Sequence, residues 1–160
     1  MGPAALPVYA GLATRGVAFV IDAMIVNAVA FGIAASASLA LSIFGVSLDE
    51  LPTALSVAVG AGGWIALNLA YFIGSWTLAG QTTGMRLMSI RVERTNGGPL
   101  SFRRSVQRLI GAVIAALPLF AGYLLILVDD RRKGLHDRFA GTVVVFLTEQ
   151  ERRRLRPNSP

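Results

Sequence analysis

Hydrophobic and polar positions divide this chain into three long apolar runs separated by short polar stretches. The first runs from Gly16 to Phe44, broken only by Asp22, Asn27 and the serines Ser36, Ser38 and Ser42. The second runs from about Ala54 to Leu78, and the third from Leu109 to Val128 with Pro118 near its middle. A hydrocarbon core of about 30 Å needs roughly 20 helical residues, so each run is long enough to cross, and the first has length left for tilt or overhang. The tripeptide Ala35-Ser36-Ala37 resembles a small-residue cleavage site. The aspartate inside the run, and its length, favour an anchored span over a removed leader.

The stretch joining the first two runs, Gly45 to Thr53, holds Asp49, Glu50 and Pro52 and no base. Small residues recur every fourth position in both runs, at Ala28, Gly32, Ser36 and Ala40, and at Ala58, Gly62, Ala66, Ala70 and Gly74. Such ladders let helix backbones approach closely in lipid and predict an antiparallel hairpin. Tyr71 and Trp76 lie near the end of the second run, where an aromatic belt is expected.

The polar segments predict smaller elements. Ser89 to Arg94 alternates polar and apolar residues and then meets the turn signal Asn96-Gly97-Gly98-Pro99, which predicts a short strand. Ser101 is placed to cap a helix whose Phe102, Val106, Leu109 and Ile110 face lipid, with Arg103, Arg104 and Arg108 facing water and headgroups. The β-branched run Thr142 to Phe146 predicts a second strand. The expected fold is an all-α polytopic membrane protein with spans at about 16–44 and 54–78. A Pro-containing hydrophobic segment at 109–128, a small cytoplasmic two-stranded element and a charged tail over 149–160 complete it.

Composition supports this reading. Of 160 residues, 54% are hydrophobic and 15% charged, against about 45–50% and about 25% in soluble domains, and the mean hydropathy is +0.60. A soluble enzyme and a disordered tail are both excluded. The net charge of +6 comes almost wholly from arginine, with Lys133 the sole lysine. The arginines sit beside oily segments, which points to anionic lipid rather than nucleic acid. Without cysteine, and with His136 as the single histidine, thiolate and multi-histidine metal sites are excluded within one chain. No metal or cofactor is expected.

Charge also orients the chain. The insert from Gly80 to Arg108 carries six arginines against one glutamate, so it is expected in the cytoplasm with Arg15, and the acidic loop outside. A fully crossing third run would place the basic C-terminal segment outside, against that bias. A re-entrant run, turning at Pro118, keeps both flanks cytoplasmic and lets the two strands pair. Re-entrance is the preferred reading, with three crossings as the alternative.

Arg15 and Asp22, seven residues apart, share one helix face about 10 Å apart along the axis. A charged aspartate at the centre of a span costs roughly 2.5–3.5 kcal/mol on insertion scales, so Asp22 must face protein or water, meet a cation, or stay protonated. A proton- or cation-responsive carboxylate and an ion-paired lock between helices both satisfy this. Asn27 and Asn68 are expected as interhelical hydrogen bonders. At His136-Asp137-Arg138, Asp137 can meet Arg15 or another arginine, with His136 titrating near neutral pH, or it can pin the turn into the last strand. Gly80-Gln81-Thr82-Thr83-Gly84 lacks a Walker lysine and predicts a helix-start turn. No G-x-S-x-G elbow occurs, and no enzyme is expected.

Three blocks in order resemble the RDD family of bacterial membrane proteins, named for one arginine and two aspartates. They are Ala13 to Asp22, containing Arg15; Gly80 to Leu87 with Ile90-Arg91-Val92; and Arg131 through Leu135 to Val144, where Asp137 matches the second aspartate. The resemblance covers roughly residues 8–148. Met85 departs from the basic or polar residue expected after the glycine, and Arg86 is expected to take that role. The resemblance implies a bacterial cell-membrane protein with a transport-related role, since monovalent cation/proton antiport is attributed to one member. A chain this small would need to form a homo-oligomer or join a larger complex to enclose a pathway. The alternative is a structural or assembly subunit without transport activity of its own.

Overall fold

The computed structural model describes residues 7–46, 52–117, 121–148 and 151. Asp49, Glu50 and Pro118, and most of the 149–160 tail, lie outside the described residues. Helix α1 (Leu12–Ile43) and helix α2 (Thr53–Ala79) follow the first two apolar runs closely. Both are long and apolar enough to cross a membrane. Their contacts run antiparallel: Phe19 stacks near Phe72, and Trp64 Nε1 donates to Asn27 Oδ1 at 3.2 Å.

The small-residue ladders do not make this contact. From Ala28 to Ala40 and from Ala58 to Ala70 the ladder residues are exposed, and Gly32, Gly62 and Gly74 each have open space where a side chain would stand. The two helices meet instead through larger side chains, Phe19, Asp22 and Asn27 on α1 against Phe72, Tyr71 and Trp64 on α2.

Helix α2 stops at Gly80, and a short helix α3 (Thr83–Leu87) begins at once, with the Thr82 side chain accepting the Met85 N–H. This is the helix-start turn expected of Gly80 to Gly84. Strands β1 (Ile90–Arg94) and β2 (Thr142–Phe146) pair antiparallel, from Ile90 opposite Phe146 to Arg94 opposite Thr142. On the other edge of β2, Ala10 N–H donates to Val144 O and Phe146 N–H to Val8 O, each at 2.9 Å. The small core beneath combines Ala10, Ala18, Trp76, Met85, Ile90, Val92, Leu100 and Val144.

The third apolar run is not one straight helix. Helix α4 (Phe102–Ala116) and helix α5 (Ala121–Val128) lie at 104° to one another. Gly122 sits so close to α4 that a Cβ there would stand 2.7 Å from Ala115 Cα. Helix α4 also takes in the two arginine-bearing turns from Phe102 to Arg108 ahead of the apolar run, and Ser101 starts it without a side-chain capping bond. Helix α6 (Leu135–Ala140) then leads into β2. Because β1 precedes α4 and β2 follows α6, strand pairing brings both ends of the third run together at one end of the molecule. The start of α1 and the end of α2 are gathered there as well.

Candidate functional site

Four residues of α1 are buried, Arg15, Ala18, Asp22 and Val26, and their spacing places them on one stripe. Arg15 and Asp22 do share a face, as their spacing predicts. They do not pair with each other, and each anchors a separate polar cluster.

The first cluster surrounds Asp137, which is fully buried in the first turn of α6. Arg15 Nη1 donates to Asp137 Oδ2 at 2.5 Å, and Arg108 Nη1 donates to Oδ1. The Gly134 N–H adds a bond to Oδ2 at 3.1 Å. Thr142 Oγ1 accepts from Arg108 at 2.9 Å and donates to Asp137 Oδ1 at 3.3 Å. Arg15 is fixed further by the carbonyls of Ala10 (3.0 Å) and Arg132 (2.6 Å). Asp137 thus both meets two arginines and pins its own turn. Burial pushes its carboxyl up, but Arg108, His136 and Arg15 together outweigh that and hold it well below the usual carboxylate range.

His136 does not titrate near neutrality as expected. Burial, then the charge of Arg108, lowers it to about 4 against the opposing pull of Asp137. The imidazole is neutral at physiological pH.

The second cluster surrounds Asp22, 1% exposed. Its Oδ1 accepts from Tyr71 Oη at 2.6 Å and from the Gly84 N–H at 2.7 Å, and its Oδ2 accepts from Thr82 Oγ1 at 2.5 Å. All three donors are neutral, and Asp22 has no ion pair among the described residues. Gly84 permits this geometry: a Cβ there would lie 2.1 Å from Ala18 O and 2.9 Å from Asp22 Cγ.

Between the clusters lies a cavity of about 380 Å³. Arg15, Asp22, Arg108 and His136 supply its polar wall, and Phe19, Phe72, Leu109 and Leu124 much of the rest. No group of three or more possible metal ligands occurs among the described residues. Compared with known protein families, residues 9–141 match the RDD family. The chain belongs to the RDD family. Neither the curated proteins nor the solved structures contain a match.

In this RDD protein Arg15, Asp22 and Asp137 therefore serve two clusters, Arg15 with Asp137 and Asp22 apart. Arg108, expected among the headgroup arginines, is 3% exposed and belongs to the Asp137 cluster, with its guanidinium carbon 5.1 Å from the Trp76 ring centroid. Arg104 is half-buried and donates to Ala140 O at 2.8 Å, leaving Arg103 as the exposed member of the three. The reason is helix geometry. Arg104, Arg108, Gly111 and Ala115 fall on one stripe, and Gly111 lies against His136, so this face is covered by α6. That stripe is the signal in the sequence that would have found Arg108.

The aromatic residues differ from expectation too. Tyr71 holds Asp22, and Trp76 is buried beneath Arg108, so neither forms a belt. Asn27 bonds across the helix pair as expected. Asn68 donates to Trp64 O, one turn back in its own helix. Met85 packs in the RDD core, where a charged group would be desolvated, and Arg86 is exposed.

Proposed function

We propose that this is a bacterial inner-membrane protein in which α1 and α2 cross the bilayer and the α4–α5 segment is re-entrant. The N-terminus, the arginine-rich insert and the paired strands then face the cytoplasm, consistent with the excess of arginine in that insert. Its role is ion or proton transport, acting alone or as a subunit of a transporter, with no catalytic activity.

One observation carries this reading. Asp22 borders the cavity as a buried carboxylate held by neutral donors, while the nearby guanidiniums of Arg15 and Arg108 are engaged by Asp137. A carboxylate so placed can exchange a proton or a monovalent cation without first breaking an ion pair. Exposed arginines such as Arg86 and Arg103 suit anionic lipid.

The rival reading, an assembly subunit, draws on the ladder residues left open on α1 and α2, where a second copy or another membrane protein can approach closely. Proteoliposomes decide between them. Purified protein is expected to move a monovalent cation against a pH gradient, and Asp22→Asn is expected to abolish that flux with the fold retained. Absence of flux in the parent protein, together with a stable co-purifying partner, would end the transport reading.

A further inference from the structure

The cavity wall is short of acceptors and supplied with unused donors. Both oxygens of Asp22 are already occupied, by three hydrogen bonds in all. Arg108 Nε and Trp76 Nε1, in contrast, are buried N–H groups with no hydrogen-bond partner among the described residues. Both residues line the cavity, and they are 3% and 6% exposed. His136 Nδ1, on the same wall, is also unpartnered, and serves as donor or acceptor according to tautomer. Buried donors left unmatched are costly, and a bound acceptor removes that cost. Arg15 and Arg108 share the Asp137 carboxylate, and Asp22 on the same wall supplies a second negative charge, so it is the unused donors and not a net charge that call for an acceptor.

Apart from Tyr123, whose hydroxyl donates to Ala112 O, the remaining wall is apolar. Phe19, Phe72, Leu109, Ala112 and Leu124 offer no hydrogen-bonding side chain, and about 380 Å³ lies within the roughly 300–1,000 Å³ typical of small-molecule sites. A small hydrated ion would leave this surface uncovered, whereas an apolar chain would fill it.

We propose that the cavity binds an amphipathic anion, an apolar chain whose phosphate or carboxylate head reaches the free N–H groups of Arg108 and Trp76. The ligand enters from the surrounding lipid, either as a phospholipid-type phosphate or as a free fatty acid. This goes beyond the transport reading, and its test uses binding alone, so either can fail without the other.

The purified full chain, in a neutral steroid-type detergent, is exposed to dodecyl phosphate, laurate, dodecanol and dodecyltrimethylammonium, and adducts are titrated by native mass spectrometry. One or both anions are expected to bind saturably, one per chain, at least tenfold tighter than the alcohol or the cation. Binding of the phosphate alone identifies a lipid-type head, and binding of laurate a fatty acid. Ala112→Phe, which fills the apolar wall, is expected to weaken the anions tenfold or more. Trp76→Phe, which keeps a ring beneath Arg108 but removes the N–H, is expected to weaken them several-fold without changing dodecanol. Equal binding of all four probes, or a preference for the cation, overturns the proposal. The head-group series on the parent protein separates these outcomes even if a variant does not fold.

Discussion

Arg15 and Asp137 are 122 positions apart in sequence and meet at 2.5 Å, with the carboxylate completely buried. Arg108 engages the other oxygen of the same carboxylate. Removing one partner of a buried pair typically costs about 3–5 kcal/mol, because the remaining charge is stranded. Asp137→Asn strands two guanidiniums and is expected to cost at least that much. Arg15→Met leaves Asp137 paired with Arg108 and is expected to cost less, about 1–3 kcal/mol. Thermal denaturation in detergent gives the order, and an Arg15 variant less stable than the Asp137 variant would contradict this arrangement.

The Asp22 cluster rests on close backbone approach at Gly84. Gly84→Ala would press its methyl group onto the Ala18 carbonyl and the Asp22 carboxyl, both parts of a rigid helix. A loss of about 3 kcal/mol or more is expected, seen as a lower melting temperature and poor yield. Gly32→Ala, with open space around it, is the control and should leave stability nearly unchanged.

His136 makes stability depend on mild acid. Its folded value of about 4 lies below its ordinary 6.5, so below about 6.5 the unfolded chain takes up the proton first. Stability therefore falls as pH drops from about 6.5 toward 4, by on the order of 3 kcal/mol at the lower end. Asp137, held below the usual carboxylate range, keeps its contribution over that interval and loses it only in stronger acid. Melting curves between about pH 6.5 and 5 should show the decline in the parent protein, and His136→Gln should flatten it.

Pairing of β1 with β2 holds the two strands in one element, so in the proposed topology the turn after β1 and the residues after β2, at opposite ends of the pair, stay on one side of the membrane. These 160 residues contain no cysteine, so single substitutions in them report cleanly. Asn96→Cys and Thr148→Cys are expected to react with an impermeant reagent from the same face of the membrane, and Val46→Cys from the opposite face. Opposite labelling of positions 96 and 148 would refute the re-entrant segment.

Much of the fold is legible in the sequence because lipid and strand pairing impose strong periodic demands. The apolar runs alone place both spans within a few residues of α1 and α2, and Thr142 to Phe146 matches β2. The burial of Asp22 follows from the price of placing a charge among acyl chains. Partner choice is not legible. Seven-residue spacing puts Arg15 and Asp22 on one face, but which groups α3, α4 and α6 bring to that face depends on how those helices pack. Arg108 escapes sequence reasoning for a related reason: on an amphipathic helix next to lipid, a charged stripe looks the same whether water or another helix covers it. The ladders mislead because small residues permit close packing without requiring it.

Synthesis order gives the Arg15–Asp137 contact a further meaning. The ribosome makes the guanidinium more than a hundred residues before its carboxylate, so α1 must pass most of translation with that cation unanswered. The closing steps, laying β2 between β1 and the N-terminal segment and seating α6 on α4, arrive together at the end. Assembly of this protein is thus completed by a latch formed late, and a chain halted before position 137 would hold every residue of the Asp22 cluster yet leave Arg15 and Arg108 without their carboxylate.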